Sequence, residues 1–135
     1  MRIRTATEMT VYRKAYALSM RIFTVSKHWP EYERYSLTSQ IRRSSRSVCA
    51  NLREAWAKRR YEAHFISKLT DCDGENSETS TWLAFARDCG YLPEVEAQKL
   101  IKETERIGTM LGTMISKPEK FRLGGSGRGG PRPEA

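Results

Sequence analysis

Residues 36–60, SLTSQIRRSSRSVCANLREAWAKRR, hold seven Arg and Lys against one acid, Glu54. Residues 61–90, YEAHFISKLTDCDGENSETSTWLAFARDCG, hold six acids against two bases, so two adjoining segments carry net charges of +6 and −4. Beneath the charge, both repeat side chains at helical intervals. The first places Leu37, Ile41, Ser45, Val48, Leu52 and Ala55/Trp56 along one seam. The second places Phe65, Leu69, Cys72, Asn76, Thr79, Leu83 and Ala86 along another. A period near 3.6 puts each set on one side of a helix, which predicts two consecutive antiparallel helices with charge flanking an apolar strip. Propensity argues the other way over residues 70–81, TDCDGENSETST, where Gly74 alone costs about 1 kcal/mol relative to alanine. The period runs through that stretch, and a helix is expected there.

Working outward, Val11, Ala15, Leu18, Ile22, Val25 and Trp29 fall within an arc of about 80° and predict a helix over residues 8–28. Tyr12, Tyr16, Ser19 and Phe23 form a second stripe roughly 100° around the same helix. Either this helix serves two partners, which makes Tyr12, Tyr16 and Phe23, with Trp82 further along, candidates for an oligomer interface, or it has one wide core face rimmed by tyrosine hydroxyls. Pro30 ends the first helix and Ser36 offers an N-cap for a second over 36–59. A third is expected over 62–89, stopped by Gly90, and a fourth over 93–117, begun near Pro93. The fourth carries Ala97, Leu100, Thr104, Ile107, Leu111 and Met114, with Gly108 and Gly112 spaced for a close backbone approach. Residues 118–135 end in a Gly-rich run that cannot bury apolar surface and read as a disordered tail, either inert or a basic arm. The fold class is all-α: one domain over residues 1–117, an antiparallel up-down-up-down four-helix bundle.

The chain has 135 residues, 39% of them hydrophobic, enough for a core without disulfides or metal. Cys49, Cys72 and Cys89 are widely spaced and form no C-x-x-C, which suits reduced thiols in the cytoplasm. No signal-like or membrane-length apolar stretch is evident, so a soluble cytoplasmic protein is expected, without membrane contact. The net charge of +8 biases the chain toward polyanions. Motifs for phosphate loops, dinucleotides and zinc hydrolysis are absent. His28 and His64 stand apart, and Ser44, Ser45 and Ser47 have no adjacent histidine to activate them. Neither a catalytic residue nor a metal or other cofactor is expected.

Arg42, Arg46, Arg53 and Arg60 share an arc about 40° wide beside the seam of the second helix. In a hairpin turning near residue 60, Arg46 stands level with Glu75 and Arg42 with Glu78. One reading pairs the cluster Arg42, Arg43, Arg46 and Arg53 with Asp71, Glu75 and Glu78, as forks that fix helix register within or between subunits. The other directs the same arginines, together with Lys58, Arg59 and Arg60, to phosphates, with Trp56 and Tyr61 available for stacking. The matching acidic stripe favours the structural role for Arg42 and Arg46. The Lys58, Arg59, Arg60 junction, with only Glu62 nearby, is the first choice for RNA. Asn51 is either an ordinary solvent-facing residue or one that bonds another helix and limits pairing.

The stretches VYRKA at 11–15, LTSQIRRSSRSVCANL at 37–52 and LAFARDCGYL at 83–92 resemble the four-helix-bundle proteins encoded in intervening sequences of bacterial large-subunit ribosomal RNA genes. The likeness runs over about residues 8–117, with QIRRS and the following SVCAN its most specific part. It implies helix through 70–81, a ring-like homopentamer, no enzymatic activity, and RNA association inferred from gene location. A more distant likeness, to the accessory protein of diversity-generating retroelements, implies contact with DNA or a nucleic-acid-processing protein. Many members carry Ala-Glu-Gly after the asparagine, whereas here Glu54 is followed by Ala55, which lets the second helix continue. Two functions follow from these readings. One is a non-catalytic, self-assembling scaffold presenting a basic surface to nucleic acid or its handlers. The other is a purely structural or protein-interaction oligomer whose arginines are consumed in salt bridges.

Overall fold

The computed structural model describes residues 3–121, so the Gly-rich segment from 122 onward lies outside the described residues. Four helices, α1 (Thr10–Ser26), α2 (Leu37–Ala57), α3 (Glu62–Asp88) and α4 (Glu94–Ser116), account for most of it, with no strand among the described residues. Each consecutive pair packs together and α1 closes on α4. The direction of each pair is read from its contacts. Ser19 meets Ser45 while Ser26 meets Arg42, so α1 and α2 run antiparallel. Glu54 meets Lys68 while Ser44 meets Thr79, and Lys14 meets Glu103 while Arg21 meets Glu96, so α2/α3 and α1/α4 do the same. The alternation is that of the expected up-down-up-down bundle.

The seams read from the sequence are the core. Ile22, Ile41, Leu52, Leu69, Leu83, Ile107 and Leu111 are fully enclosed, and α3 is unbroken through residues 70–81, with Cys72, Asn76 and Thr79 all buried. The apolar payload of α3 is thin at that level, and hydrogen bonds take its place. Ser19 Oγ lies 3.0 Å from Ser45 Oγ, Ser44 Oγ lies 2.8 Å from Thr79 Oγ1, and Asn76 Nδ2 donates to the Thr104 carbonyl at 2.8 Å. Asn76, not Asn51, is therefore the asparagine that bridges helices; Asn51 Nδ2 donates to Ser47 of its own helix. A Cβ on Gly108 would sit 3.5 Å from Asn76 Nδ2 and one on Gly112 would meet nothing, so this pair does not mark an unusually close approach.

The ends differ from expectation in instructive ways. Ser36 occupies the N-cap position of α2 without capping through its side chain, and the Glu33 carboxylate accepts the Leu37 N–H instead, at 3.4 Å. Ile3, Ala6 and Met9 are buried ahead of α1, where the turn Ala6–Glu8 packs on α1 and α2. At the other end Phe121 is buried beside Phe65, with ring centres 6.2 Å apart, after the turn Pro118–Lys120. The folded body thus extends past the expected boundary at 117, because one phenylalanine finds the bundle end. The opposite end is tied by Tyr91, whose hydroxyl donates to Glu33 Oε2 at 2.7 Å.

Gly90 closes α3 with φ +79, the Tyr91 N–H reaching the Ala86 carbonyl and the Gly90 N–H that of Arg87. This is the left-handed C-terminal cap that glycine adopts without steric cost. Gly74, by contrast, sits in the interior of α3 with open space where a Cβ would stand. The two glycines should respond oppositely to alanine: Gly74→Ala should stabilise by about 0.5–1 kcal/mol, and Gly90→Ala should cost about 1–2 kcal/mol. Thermal unfolding followed by circular dichroism checks both signs.

Candidate functional site

Arg42 and Arg43 are neighbours in sequence and lie about 100° apart around α2, which sends them to different helices. Arg43 faces α3, where Nη1 donates to Glu75 Oε2 at 3.0 Å and Nη2 bonds Glu78 Oε1. On the same edge Lys68 bonds Glu54 at 2.9 Å and lies 3.6 Å from Asp71, and its ammonium holds the Glu54 carboxyl below the usual range. The acidic stripe of α3 is thus occupied within the chain by Arg43 and Lys68. Arg42 and Arg46, expected there, are on the other edge.

That edge faces α1. Arg42 Nε donates to Ser26 Oγ at 2.9 Å and its guanidinium stands 4.9 Å from the centre of the Phe23 ring. Arg46 stands 5.8 Å from the same ring and Lys27 Nζ 4.8 Å. Burial lowers the Arg42 pKa, and the charge of Arg46 lowers it further. Arg53 follows along the exposed side of α2. No carboxylate among the described residues lies within ion-pairing distance of Arg42, Arg46 or Arg53. Cations held by a ring and a hydroxyl, rather than by an acid, keep most of their capacity for an external anion.

Beside them α1 and α2 enclose an open groove of about 260 Å³ lined by Tyr16, Ser19, Met20, Phe23, Arg46 and Cys49. Tyr16 is 54% and Met20 50% exposed, at adjoining turns of α1. Tyr12 is half-buried and stacks on Tyr16 with ring centres 6.1 Å apart. Trp82 belongs to a different region, on α3 beside Phe85 with centres 6.0 Å apart. The four aromatic residues grouped in the sequence as one oligomer surface therefore form two separate patches.

The junction after α2 is also divided. Arg59 folds back, its guanidinium 3.7 Å from the centre of the Trp56 ring and Nη1 donating to the Trp56 carbonyl at 2.7 Å. Lys58, Arg60 and Tyr61 are exposed. Of the five residues proposed for phosphate contact, Lys58, Arg60 and Arg53 face solvent, whereas Arg43 is held by acids and Arg59 by tryptophan. The sequence reading missed Ser26 and Phe23 as the seat of Arg42; the signal lay in their one-turn spacing on the second stripe of α1.

Two comparisons bear on this arrangement. Residues 7–113 match the family model described as 23S rRNA-intervening sequence protein. The chain belongs to that family. Among solved structures, it is similar to a protein of unknown function from the S23 ribosomal protein family of Bacteroides thetaiotaomicron, at 28% identity and TM-score 0.71, covering 78% of this chain and 98% of the other. No curated protein matches, and neither match extends to the accessory protein of diversity-generating retroelements. In this 23S rRNA-intervening sequence protein, the QIRRS stretch is where three helices meet. Ile41 enters the core, Arg42 reaches α1, and Arg43 and Ser44 reach α3.

Ser44, Ser45 and Ser47 bond Thr79, Ser19 and Asn51, so none of the three is poised beside a base. No group of three or more His, Cys, Asp or Glu among the described residues is placed to hold a metal ion, and no helix among them is long and apolar enough to cross a membrane. Burial pushes the Cys49 thiol up to about 11 and that of Cys72 to about 12, which leaves both protonated at neutral pH, whereas Cys89 is exposed. Iodoacetamide at pH 7.5 should therefore alkylate Cys89 at least tenfold faster than the other two, with all three reacting after denaturation. Peptide mass mapping of a time course reads the order directly.

Proposed function

We propose that this protein is a non-catalytic, self-assembling helical scaffold, a cytoplasmic homopentamer, whose cationic surface engages RNA or DNA, alone or together with a nucleic-acid-processing protein. The observation that carries the nucleic-acid part is the row formed by Arg42, Arg46 and Arg53, three guanidinium groups along one helix edge with no carboxylate of the described residues within ion-pairing distance. Lys58 and Arg60 continue the positive character at the end of the same helix. With the α3 acids drawn off by Arg43 and Lys68, the overall charge of +8 is concentrated rather than neutralised. Self-assembly is supported by large apolar side chains left at the surface, Phe85 at 54% and Val95 at 66% among them.

The competing view, a purely structural oligomer whose arginines are spent on internal salt bridges, draws on the Arg43 pairs. It has no equivalent for Arg42, Arg46 or Arg53, and the pairing of Arg46 with Glu75 that would serve it is not made within the chain.

Binding of a labelled RNA oligonucleotide, followed across a salt series, should weaken linearly in logarithmic coordinates. Arg46→Ala and Arg53→Ala should each reduce the slope by about 1. Undetectable binding at low salt, or slopes unchanged in both variants, would remove the nucleic-acid half of the proposal. Native mass spectrometry should show five subunits, and any other count overturns the pentamer.

A further inference from the structure

The cationic edge and the α1/α2 groove adjoin, and together they discriminate between forms of nucleic acid. The geometry points to a single-stranded polynucleotide as the ligand, with one unstacked base seated in the groove formed by Tyr16, Met20, Phe23, Arg46 and Cys49 while Arg42, Arg46 and Arg53 take the flanking phosphates. This rests on the nucleic-acid reading above and adds to it the strandedness of the ligand and the contact that selects it.

Size is the first argument. The groove holds about 260 Å³, below the range of roughly 300–1,000 Å³ typical of pockets for drug-sized molecules, so it has room for one planar ring system. Its walls are of the kind that receive a base: a half-exposed tyrosine ring, a thioether, a phenylalanine and a guanidinium plane. Aromatic and guanidinium faces stack on any base with little regard to sequence. The polar groups nearby are already committed or neutral. The Ser19 hydroxyl is engaged with that of Ser45, and the Cys49 thiol is protonated, so the groove offers a stacking surface without a fixed code for base edges.

Charge is the second argument. Arg42 and Arg46 are one turn apart and Arg53 about two turns further, a row of roughly 16 Å along α2. The row borders the groove, because Arg46 belongs to both. A phosphate backbone lying on it places its bases over α1. In a duplex those bases are paired and stacked, and seating one here requires flipping it out of the helix; a single strand has no such cost. An acidic protein helix could match the cations, but nothing in the groove calls for a helix rather than a flat ring.

The experiment compares a labelled single-stranded 12-nucleotide RNA with the same sequence in duplex form, using the full chain and fluorescence anisotropy. Single-strand binding about tenfold tighter than duplex binding is expected, with Tyr16→Ala removing most of that preference and leaving the salt slope unchanged. A 4-thiouridine strand should photocrosslink to the α1 peptide containing Tyr16 and Met20. Because Tyr16 is half-exposed, its truncation leaves the core intact, and Met20→Ala provides a second, equally mild test. Equal affinity for both forms, with Tyr16→Ala silent while Arg53→Ala still lowers the slope, overturns the base-seating inference and spares the cationic edge. Tyr16→Ala changing the subunit count without changing RNA affinity also overturns it, by assigning the groove to a protein contact. No binding of either RNA at low salt sinks the underlying reading itself.

Discussion

Three buried hydrogen bonds, one across each consecutive helix interface at about the same height, set the register of this bundle. Ser19 to Ser45 joins α1 to α2, Ser44 to Thr79 joins α2 to α3, and Asn76 to the Thr104 carbonyl joins α3 to α4. Aliphatic seams tolerate sliding by a turn, since one Leu or Ile layer packs much like the next. Buried polar groups tolerate it less: a slip breaks the hydroxyl contacts between helices, although Ser44, Ser45 and Thr79 keep carbonyl acceptors in their own helices, and it takes the Thr104 carbonyl from the Asn76 amide at a cost of about 1–3 kcal/mol. The small side chains needed for these bonds also explain why the middle of α3 looks like loop by composition while packing as core.

The register in turn decides the fate of the charges. With Ser44 fixed against Thr79, residue 43 is carried to the acids of α3 and residue 42 to α1. Turning α2 about its axis by the 100° that separates adjacent residues would carry residue 42 into the place residue 43 holds, and residue 43 a further 100° on. The acidic stripe would then neutralise Arg42 and Arg46, and the cationic edge would disappear. The proposed function is thus coupled to an interior polar bond rather than to total charge.

This also marks how far the sequence could be read. Helix spans were legible to within two residues or so because each rests on a repeated apolar period, and the α3 period survived twelve unpromising residues. The height of Arg42 and Arg46 relative to Glu75 and Glu78 was nearly right, since antiparallel spacing from a turn is simple counting. Their side of α2 was not, because periodicity gives the width of an edge without saying which neighbour it faces. That depends on the handedness with which four helices are arranged around the core. Phe121, Ile3 and Ala6 escaped notice for another reason: isolated residues carry no period, and their burial depends on where a bundle end lies open. The Glu33 contact that replaced the Ser36 cap is of the same kind, a local competition between a hydroxyl and a carboxylate for the Leu37 N–H.

Gathering Lys27, Arg42 and Arg46 around one phenylalanine looks unfavourable, for like charges a few ångströms apart repel by about 1 kcal/mol per pair even in water. The ring lowers that cost by offering its electron-rich face to the cations, and the Ser26 hydroxyl accepts one guanidinium proton. Neither supplies the negative charge that would complete the arrangement. An interior salt bridge would have done so at the expense of a fixed geometry and a closed surface. What Phe23 does is hold the arginines in place while leaving their outer donors open. On the proposed function, cations ordered in this way before an anion arrives would lose less conformational entropy on binding than three free side chains. The groove that begins at the same ring is continuous with the charge it organises, so that on the proposed function Phe23, read from the sequence as an oligomer contact, would join electrostatic attraction to stacking.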